Sequence, residues 1–358
     1  MLSAEADDFP GNDFLHKEMK MKIKKTYTGI FSQRDSRHEK KINTGASAEH
    51  SGGSGPAVNN KFKNEIGFNY SSDEKFDMNT RRIMTAQMFY GKNGYYPDIK
   101  NPKTFCEKVL WLKLMYSDER ISRCCDKYKV KGYISEVLGE GCTVPVIRKY
   151  DDVFDINPDE LPDKFVLKVS WCTGYNIIVS DKSEINLDDI RAKLDYWCLP
   201  WKSSYYGSFN RGYKNAEPSV YAEEYIDILN NSTEYKMFCF NGKVRFTLIE
   251  QDYFGKNPKR GYYSRNWEEE PFQFGNTEKK QFRKPATYEK MLEISEKLAE
   301  PFPFVRVDFY DISGRLYVGE MTFYSGGGFS TVIPRSYDEV LGRDLDLSGA
   351  MEKMNHPE

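Results

Sequence analysis

The chain predicts an α+β fold. Two segments read as β-hairpins. Glu234–Phe240 and Lys243–Ile249 flank an Asn241-Gly242 pair of the type I′ class, and Phe304–Tyr310 and Leu316–Phe323 flank the turn chemistry of Asp311–Arg315. Other stretches, notably Phe105–Met115, Ile185–Leu199 and Thr287–Glu300, carry apolar residues at helical spacing. At 358 residues, 39% hydrophobic and 15% aromatic, the chain can bury at least one large core, and its length suits two or three lobes.

Taken in order, residues 1–60 are polar and mixed in charge, with the run Ser51–Gly55, and cannot bury enough apolar surface to offset their ordering entropy. They read as a disordered extension. Lysines between Lys20 and Lys25 offer contact with an acidic surface or peripheral membrane association, against the plainer reading of a solvated tail. From Arg81 the pattern turns helical, with Ile83, Met84, Met88 and Phe89 before the Gly91/Gly94 break. Thr104 and Glu107 have capping-box spacing ahead of Val109, Leu110, Leu112 and Met115. Asp126–Ile134 begins a further helix that ends near Gly139–Gly141, and Cys142–Arg148 reads as a short strand.

Asp163–Trp171 is a strand with Lys168 at its centre. A lysine there is costly to bury without an anion, so the position invites a phosphate. Its turn, Trp171–Asn176, leads to a second strand, Ile177–Ser180, whose hairpin tip is placed to close over a nucleotide. Trp201–Lys214, dense in Tyr, Ser and Gly, reads either as a loop meeting a sugar-like substrate or as an aromatic surface loop. Ser219–Ile226 reads as a strand, residues 251–285 as a polar loop, and Pro301 and Pro303 end the helix before the last hairpin.

Composition excludes several chemistries. Net charge of −2 argues against a dedicated nucleic-acid binder. No apolar run is long enough to cross a bilayer and the start lacks a secretory signature, so a cytoplasmic protein is expected. Seven cysteines without paired spacing indicate reduced, packed thiols rather than a disulfide framework. His16, His38, His50 and His356 all lie near the ends, which removes Ser-His and Cys-His catalysis and histidine-ligated zinc from the body. Carboxylates, lysines, arginines and a metal remain.

The last hairpin concentrates those groups. Val305, Val307 and Phe309 share one face and Arg306 and Asp308 the other. With Arg306 opposite Glu320, the residues Asp308, Glu320 and Thr322 would project from one surface. Hard oxygen ligands followed by Ser325–Gly328 suit a magnesium ion carrying nucleotide phosphates. A buried hairpin with an Arg306–Glu320 salt bridge and a flexible glycine exit accounts for the same residues.

Six segments in this order, NPKTFCEKVLWLK, DKYKVKGYI, LPDKFVLKVS, AEEYI, EYKMFCFNGKVRF and PFVRVDFYDISGRLYVGEMTF, resemble the ATP-grasp superfamily. The resemblance is to its TupA-like branch, associated with teichuronopeptide and cell-surface polysaccharide synthesis, and it spans about residues 101–345. It implies ATP and Mg2+ held between a small β-rich lid and a larger α+β domain. The parts would be a tail (1–60), a helical region (61–144), a lid (145–222), a catalytic subdomain (223–350) and a tail (351–358).

By that resemblance Lys127 and Lys168 contact phosphate oxygens, with Gly174 in the lid turn, and Glu223, Glu224, Tyr225 and Ile226 line the adenine. Asp308 and Glu320, with Thr322 beside them, hold magnesium. Lys236 faces the γ-phosphate or substrate, and Arg306 orients a carboxylate or braces Glu320. Gly174 stands alone where the branch has a glycine-rich run introduced by histidine, and Thr322 replaces a common asparagine. The implied reaction is ATP-dependent joining of a carboxylate to an amine through an acylphosphate, on small-molecule or glycan substrates. A kinase on the same fold, a nucleotide-sugar glycosyltransferase and a non-catalytic nucleotide-binding module are the alternatives.

Overall fold

The computed structural model describes residues 77–355 except 173, 200–201, 215, 228–232 and 253–256. The expected tail at 1–60 and its lysines, Trp201 and the last three residues lie outside the described residues. The first helix, α1 (Met78–Asn93), starts where the Asp77 carboxylate accepts from the Thr80 N–H at 2.6 Å. It stops where Gly94 takes a left-handed conformation, φ 75°. Helix α2 (Phe105–Met115) has the anticipated capping box: Thr104 Oγ1 accepts from the Glu107 N–H at 3.2 Å and Glu107 accepts from the Thr104 N–H at 3.0 Å. It is buried nearly all round rather than on one face, Lys113 included.

A short helix that periodicity does not reveal, α3 (Glu119–Cys125), comes next. Helix α4 (Lys129–Leu138) begins later than Asp126 because that carboxylate accepts from the Tyr128 and Lys129 N–H groups at 2.8 and 2.9 Å and holds the chain at the helix entrance.

Four antiparallel strands, β1 (Val146–Tyr150), β2 (Phe165–Val169), β3 (Asn176–Val179) and β4 (Val220–Glu224), form one sheet in the order β1-β4-β2-β3. Strand β4 lies wholly in this sheet, which therefore extends past the expected boundary at 222/223. The anticipated strand from Cys142 starts instead at Val146; the Cys142 carbonyl is taken by the Val318 N–H at 2.8 Å. Helix α5 (Leu187–Trp197) buries Ile190 and Leu194, and Trp197 stacks on Tyr175 with centroids 4.9 Å apart. A one-turn helix, α6 (Ser204–Ser208), sits inside the segment expected to be a loop.

The second sheet is built from β5 (Thr233–Phe240), β6 (Lys243–Gln251), β7 (Lys259–Ser264), β9 (Glu278–Lys279), β10 (Phe304–Ile312) and β11 (Arg315–Thr322), in the order β11-β10-β5-β6-β7-β9. Asn241 and Gly242 both have positive φ, 48° and 79°, as the Asn-Gly turn requires. Strand β7 corrects the expectation of a polar loop over 251–285: its Gly261-Tyr262-Tyr263 centre is buried, and its charged start pairs with neighbouring strands.

One face of this sheet, carrying Met237, Cys239, Val305, Val307 and Phe309, packs beside α7 (Tyr288–Ala299). On the opposite face Phe238, Phe240 and Phe304 meet Phe105 of α2 with centroids 5.3–6.5 Å apart, and Phe246 stacks on Phe238 at 4.3 Å. Such ring pairs contribute about 0.5–1.5 kcal/mol each beyond their area. A small sheet of β8 (Gln273–Phe274) and β12 (Val332–Ile333), then α8 (Ser336–Asp344) and α9 (Ser348–Asn355), complete the described chain. Because one end of the second face is filled with rings, its charged residues are gathered at the other end.

Candidate functional site

Register decides which side chains meet. Beside the Ser313-Gly314 turn Ile312 pairs with Arg315, and that pairing, continued, would set Gly319 opposite Asp308 and turn Glu320 to the far face. A bulge intervenes. Gly319 is the extra residue on β11, so Phe309 pairs with Val318 but Asp308 pairs with Glu320 and Arg306 with Thr322. The expected opposition of Arg306 and Glu320 is therefore corrected by two residues, while the shared face of Asp308, Glu320 and Thr322 stands. Gly319 also leaves room for Tyr310, since a Cβ there would lie 2.6 Å from the Tyr310 ring. On the other side of β10, Asp308 is opposite Lys236 of β5.

Cations alternate with these carboxylates. Arg306 clasps Asp308 with both arms of its guanidinium, Nε to Oδ1 at 2.6 Å and Nη2 to Oδ2 at 2.5 Å, and donates from Nη1 to Ser325 Oγ at 3.2 Å. It thus braces Asp308 rather than Glu320. Glu320 receives the Lys127 ammonium at 2.8 Å and the Thr322 hydroxyl at 3.1 Å. Lys236 is buried, pairs with Glu234 at 3.0 Å and touches Glu250.

Burial pushes the Asp308 carboxyl up to about 6 against the pull of Arg306 and Lys236, and the nearby Glu320 charge adds to the rise. Burial acts the same way on Glu320, but Lys127 and then Arg306 overcome it and hold that carboxyl at about 2. Burial disfavours the Lys236 ammonium, yet Asp308, Glu234 and Glu250 keep it above the ordinary lysine value.

The first sheet supplies a second group. Lys168 of β2 reaches the buried Glu223 carboxylate of β4 at 2.5 Å, and Lys131 of α4 holds its other oxygen at 2.6 Å. Burial raises and the two lysines lower the Glu223 pKa, leaving it below the usual carboxylate value. Beyond it, the Glu224 N–H donates to the Pro145 carbonyl at 3.0 Å, Tyr225 is half-buried under Lys164 and Ile226 is half-buried. Gly174 is exposed in the turn after β2 at φ 79°, which only glycine adopts cheaply. Lys127 ties this sheet to the site, because its N–H donates to the Ser170 carbonyl at 3.0 Å while its ammonium reaches Glu320.

The Tyr-rich segment before β4 packs inward. Tyr205 and Tyr213 are buried and Gly212 lies directly on Cys125 Sγ, so these two rings are core residues rather than a surface for sugar.

The profile of the TupA-like ATP-grasp family matches residues 107–346. The chain belongs to that family. TupA-like ATP-grasp membership covers both sheets and every residue of the two charged groups. Among solved structures the chain is similar to D-alanine–D-alanine ligase from Bacillus anthracis, at 20% identity and TM-score 0.41 over 75% of this chain and 79% of that one. It is also similar to D-alanine–D-alanine ligase from Helicobacter pylori (15% identity, TM-score 0.41, 68% and 70% covered) and to L-amino acid ligase from Bacillus licheniformis (16%, 0.39, 63% and 50%). No curated protein matches the chain.

The donor set of this TupA-like chain fits the magnesium that the fold family implies. Among the described residues no group of three or more His, Cys, Asp or Glu side chains is arranged to hold a metal. Two opposed carboxylates and a hydroxyl suit magnesium, which keeps several waters and takes phosphate oxygens as its other ligands. Sequence reasoning missed four members of the surroundings: Lys131, Glu234, Glu250 and Arg260, whose guanidinium lies 2.6 Å from Glu250. The period-two alternation Glu234, Lys236 and the charge at Glu250 on the partner strand signalled two of them; Lys131 and Arg260 carried no such signal.

Proposed function

We propose that the chain is an ATP-dependent, ADP-forming ligase that joins a carboxylate to an amine through an acylphosphate. We place it in cell-surface polysaccharide or teichuronopeptide synthesis, acting in the cytoplasm on a small-molecule or glycan precursor. The observation that carries the reading is the opposition of Asp308 and Glu320 on one sheet surface, flanked by Arg306, Lys236 and Lys127, with Lys168 on the other sheet. In this reading Lys127 and Lys168 leave their carboxylates for phosphate oxygens, and Glu223 keeps Lys131 as its partner. The hinge segment Glu223–Ile226 receives the base, and Gly174 gives the lid turn its bend.

Magnesium, when bound, would be held by Asp308 and Glu320 and would neutralise charge on the phosphates. Arg306, released from Asp308, offers two parallel N–H groups to the substrate carboxylate, and Lys236 faces the transferred phosphoryl group. Burial makes an unpaired Asp308 carboxylate costly, so an exchange of its guanidinium for magnesium keeps that charge paired throughout.

The test is product analysis with ATP and candidate acids, using hydroxylamine as the amine. A ligase yields ADP, phosphate and a hydroxamate, because hydroxylamine intercepts the acylphosphate. A stable phosphate ester formed without hydroxylamine would instead identify a phosphotransferase. ATP binding without turnover would leave a nucleotide-binding module, the alternative that the single lid glycine favours.

A further inference from the structure

Lys113 has no exposed surface, although it sits in the apolar helix α2. Its ammonium donates to the Gly327 carbonyl at 2.7 Å and lies 4.1 Å from the centroid of the Phe329 ring. Burial alone pushes its pKa down to about 7, with no carboxylate among the causes. A lysine so placed is costly, and leucine or methionine would fill the space more cheaply.

What it touches is the glycine turn that follows the metal-binding hairpin. Gly326, Gly327 and Gly328 run through the left-handed region at φ 59°, 66° and 76°, a path open to glycine and with little preference of its own. Helix α2 grips that turn at three heights. Cys106 Sγ donates to the Ser330 carbonyl at 3.1 Å, Leu110 lies under Gly328 where a Cβ would come within 2.6 Å, and Lys113 holds Gly327. The turn begins at Ser325, whose hydroxyl accepts from Arg306, the residue that clasps Asp308.

We propose that Lys113 is a positioning residue, pinning the Gly327 carbonyl so that the Ser325–Gly328 turn keeps Ser325 against Arg306 and Arg306 in place beside Asp308. A side chain of equal volume without a donor fills the space but leaves the carbonyl unheld. The catalytic consequence rests on the ligase reading; the structural one does not.

The experiment compares Lys113→Met, which matches the volume, and Lys113→Arg, which restores a cationic donor, with the unaltered protein. Hydrogen exchange of the peptide covering residues 322–331 is followed by mass spectrometry, alongside kcat and KM for ATP. Lys113→Met should speed exchange in that peptide at least tenfold with the rest of the body unchanged, lower kcat at least tenfold and leave the KM for ATP within twofold. Lys113→Arg should recover most of both. Unchanged exchange in Lys113→Met, or acceleration spread over the whole body, would overturn the proposal. If the unaltered protein shows no ATP turnover, the ligase reading fails while the exchange result still decides the role of Lys113.

Discussion

Asp308→Asn tests the electrostatics of the site without any ligand. The Asp308 carboxyl moves from its ordinary 3.8 to about 6 on folding, so between those values the native state holds a proton that the unfolded chain has lost. The contribution of Asp308 to stability must then fall as pH rises from about 4 to 6. Two pKa units at about 1.4 kcal/mol each amount to ~3 kcal/mol. Asparagine cannot titrate, so the stability of the unaltered protein relative to Asp308→Asn should drop by that amount across the window.

The pH dependence of the difference is the useful quantity, because pH-independent effects of the substitution on packing cancel from it while the Arg306 and Lys236 interactions, which follow the charge on Asp308, remain in it. The window is also clean. Every histidine lies at 16, 38, 50 or 356, so none within residues 77–355 titrates there. Urea unfolding of both proteins at half-unit steps from pH 4 to 7 measures the difference. A flat difference, or one that rises with pH, would refute the claim that burial outweighs Arg306 and Lys236 at Asp308.

Glu320 carries the opposite sign. Held at about 2 against an ordinary 4.5, it contributes stability that is present above 4.5 and lost as pH falls through 2. Glu320→Gln should therefore cost ~3 kcal/mol at pH 7 and progressively less below pH 4.5, read by the same urea titrations. Gly319→Ala sets a Cβ 2.6 Å from the half-buried Tyr310 ring and should cost about 1–3 kcal/mol, relieved in a double variant with Tyr310→Leu, as thermal unfolding would show. Lys168→Ala leaves Glu223 with Lys131, so the fold should persist while ATP affinity by calorimetry weakens at least tenfold.

Much of this architecture was legible in the sequence. Thr104 and Glu107 marked a helix start, Asn241-Gly242 marked a hairpin, and the alternation around Asp308 assigned it a face; each is a local rule that tertiary packing has no reason to override. What escaped was set by partners distant in sequence. Strand β7 was hidden because its start, Lys259-Arg260, is charged, and its burial comes from pairing with β6 and from the rings of Trp267, Phe272 and Phe274. The Glu320 register depended on a bulge that a lone glycine in a strand permits but does not demand. Lys113 carried no signal, because nothing in α2 shows that a glycine turn more than two hundred residues later closes over it. The charged groups were recognisable as candidates; which carboxylate each cation holds was not, since Arg306 had Asp308 and Glu320 equally near in the sequence pattern.

Asp308 and Glu320 are proposed to present, together, a magnesium-dependent nucleotide site. Calorimetric titration of ATP, with and without magnesium, into the unaltered protein and into Asp308→Asn tests it most directly. ATP binding should strengthen at least tenfold with magnesium, and Asp308→Asn should lose that strengthening while keeping the metal-free affinity. Binding indifferent to magnesium, or an equal magnesium effect in both proteins, would contradict it.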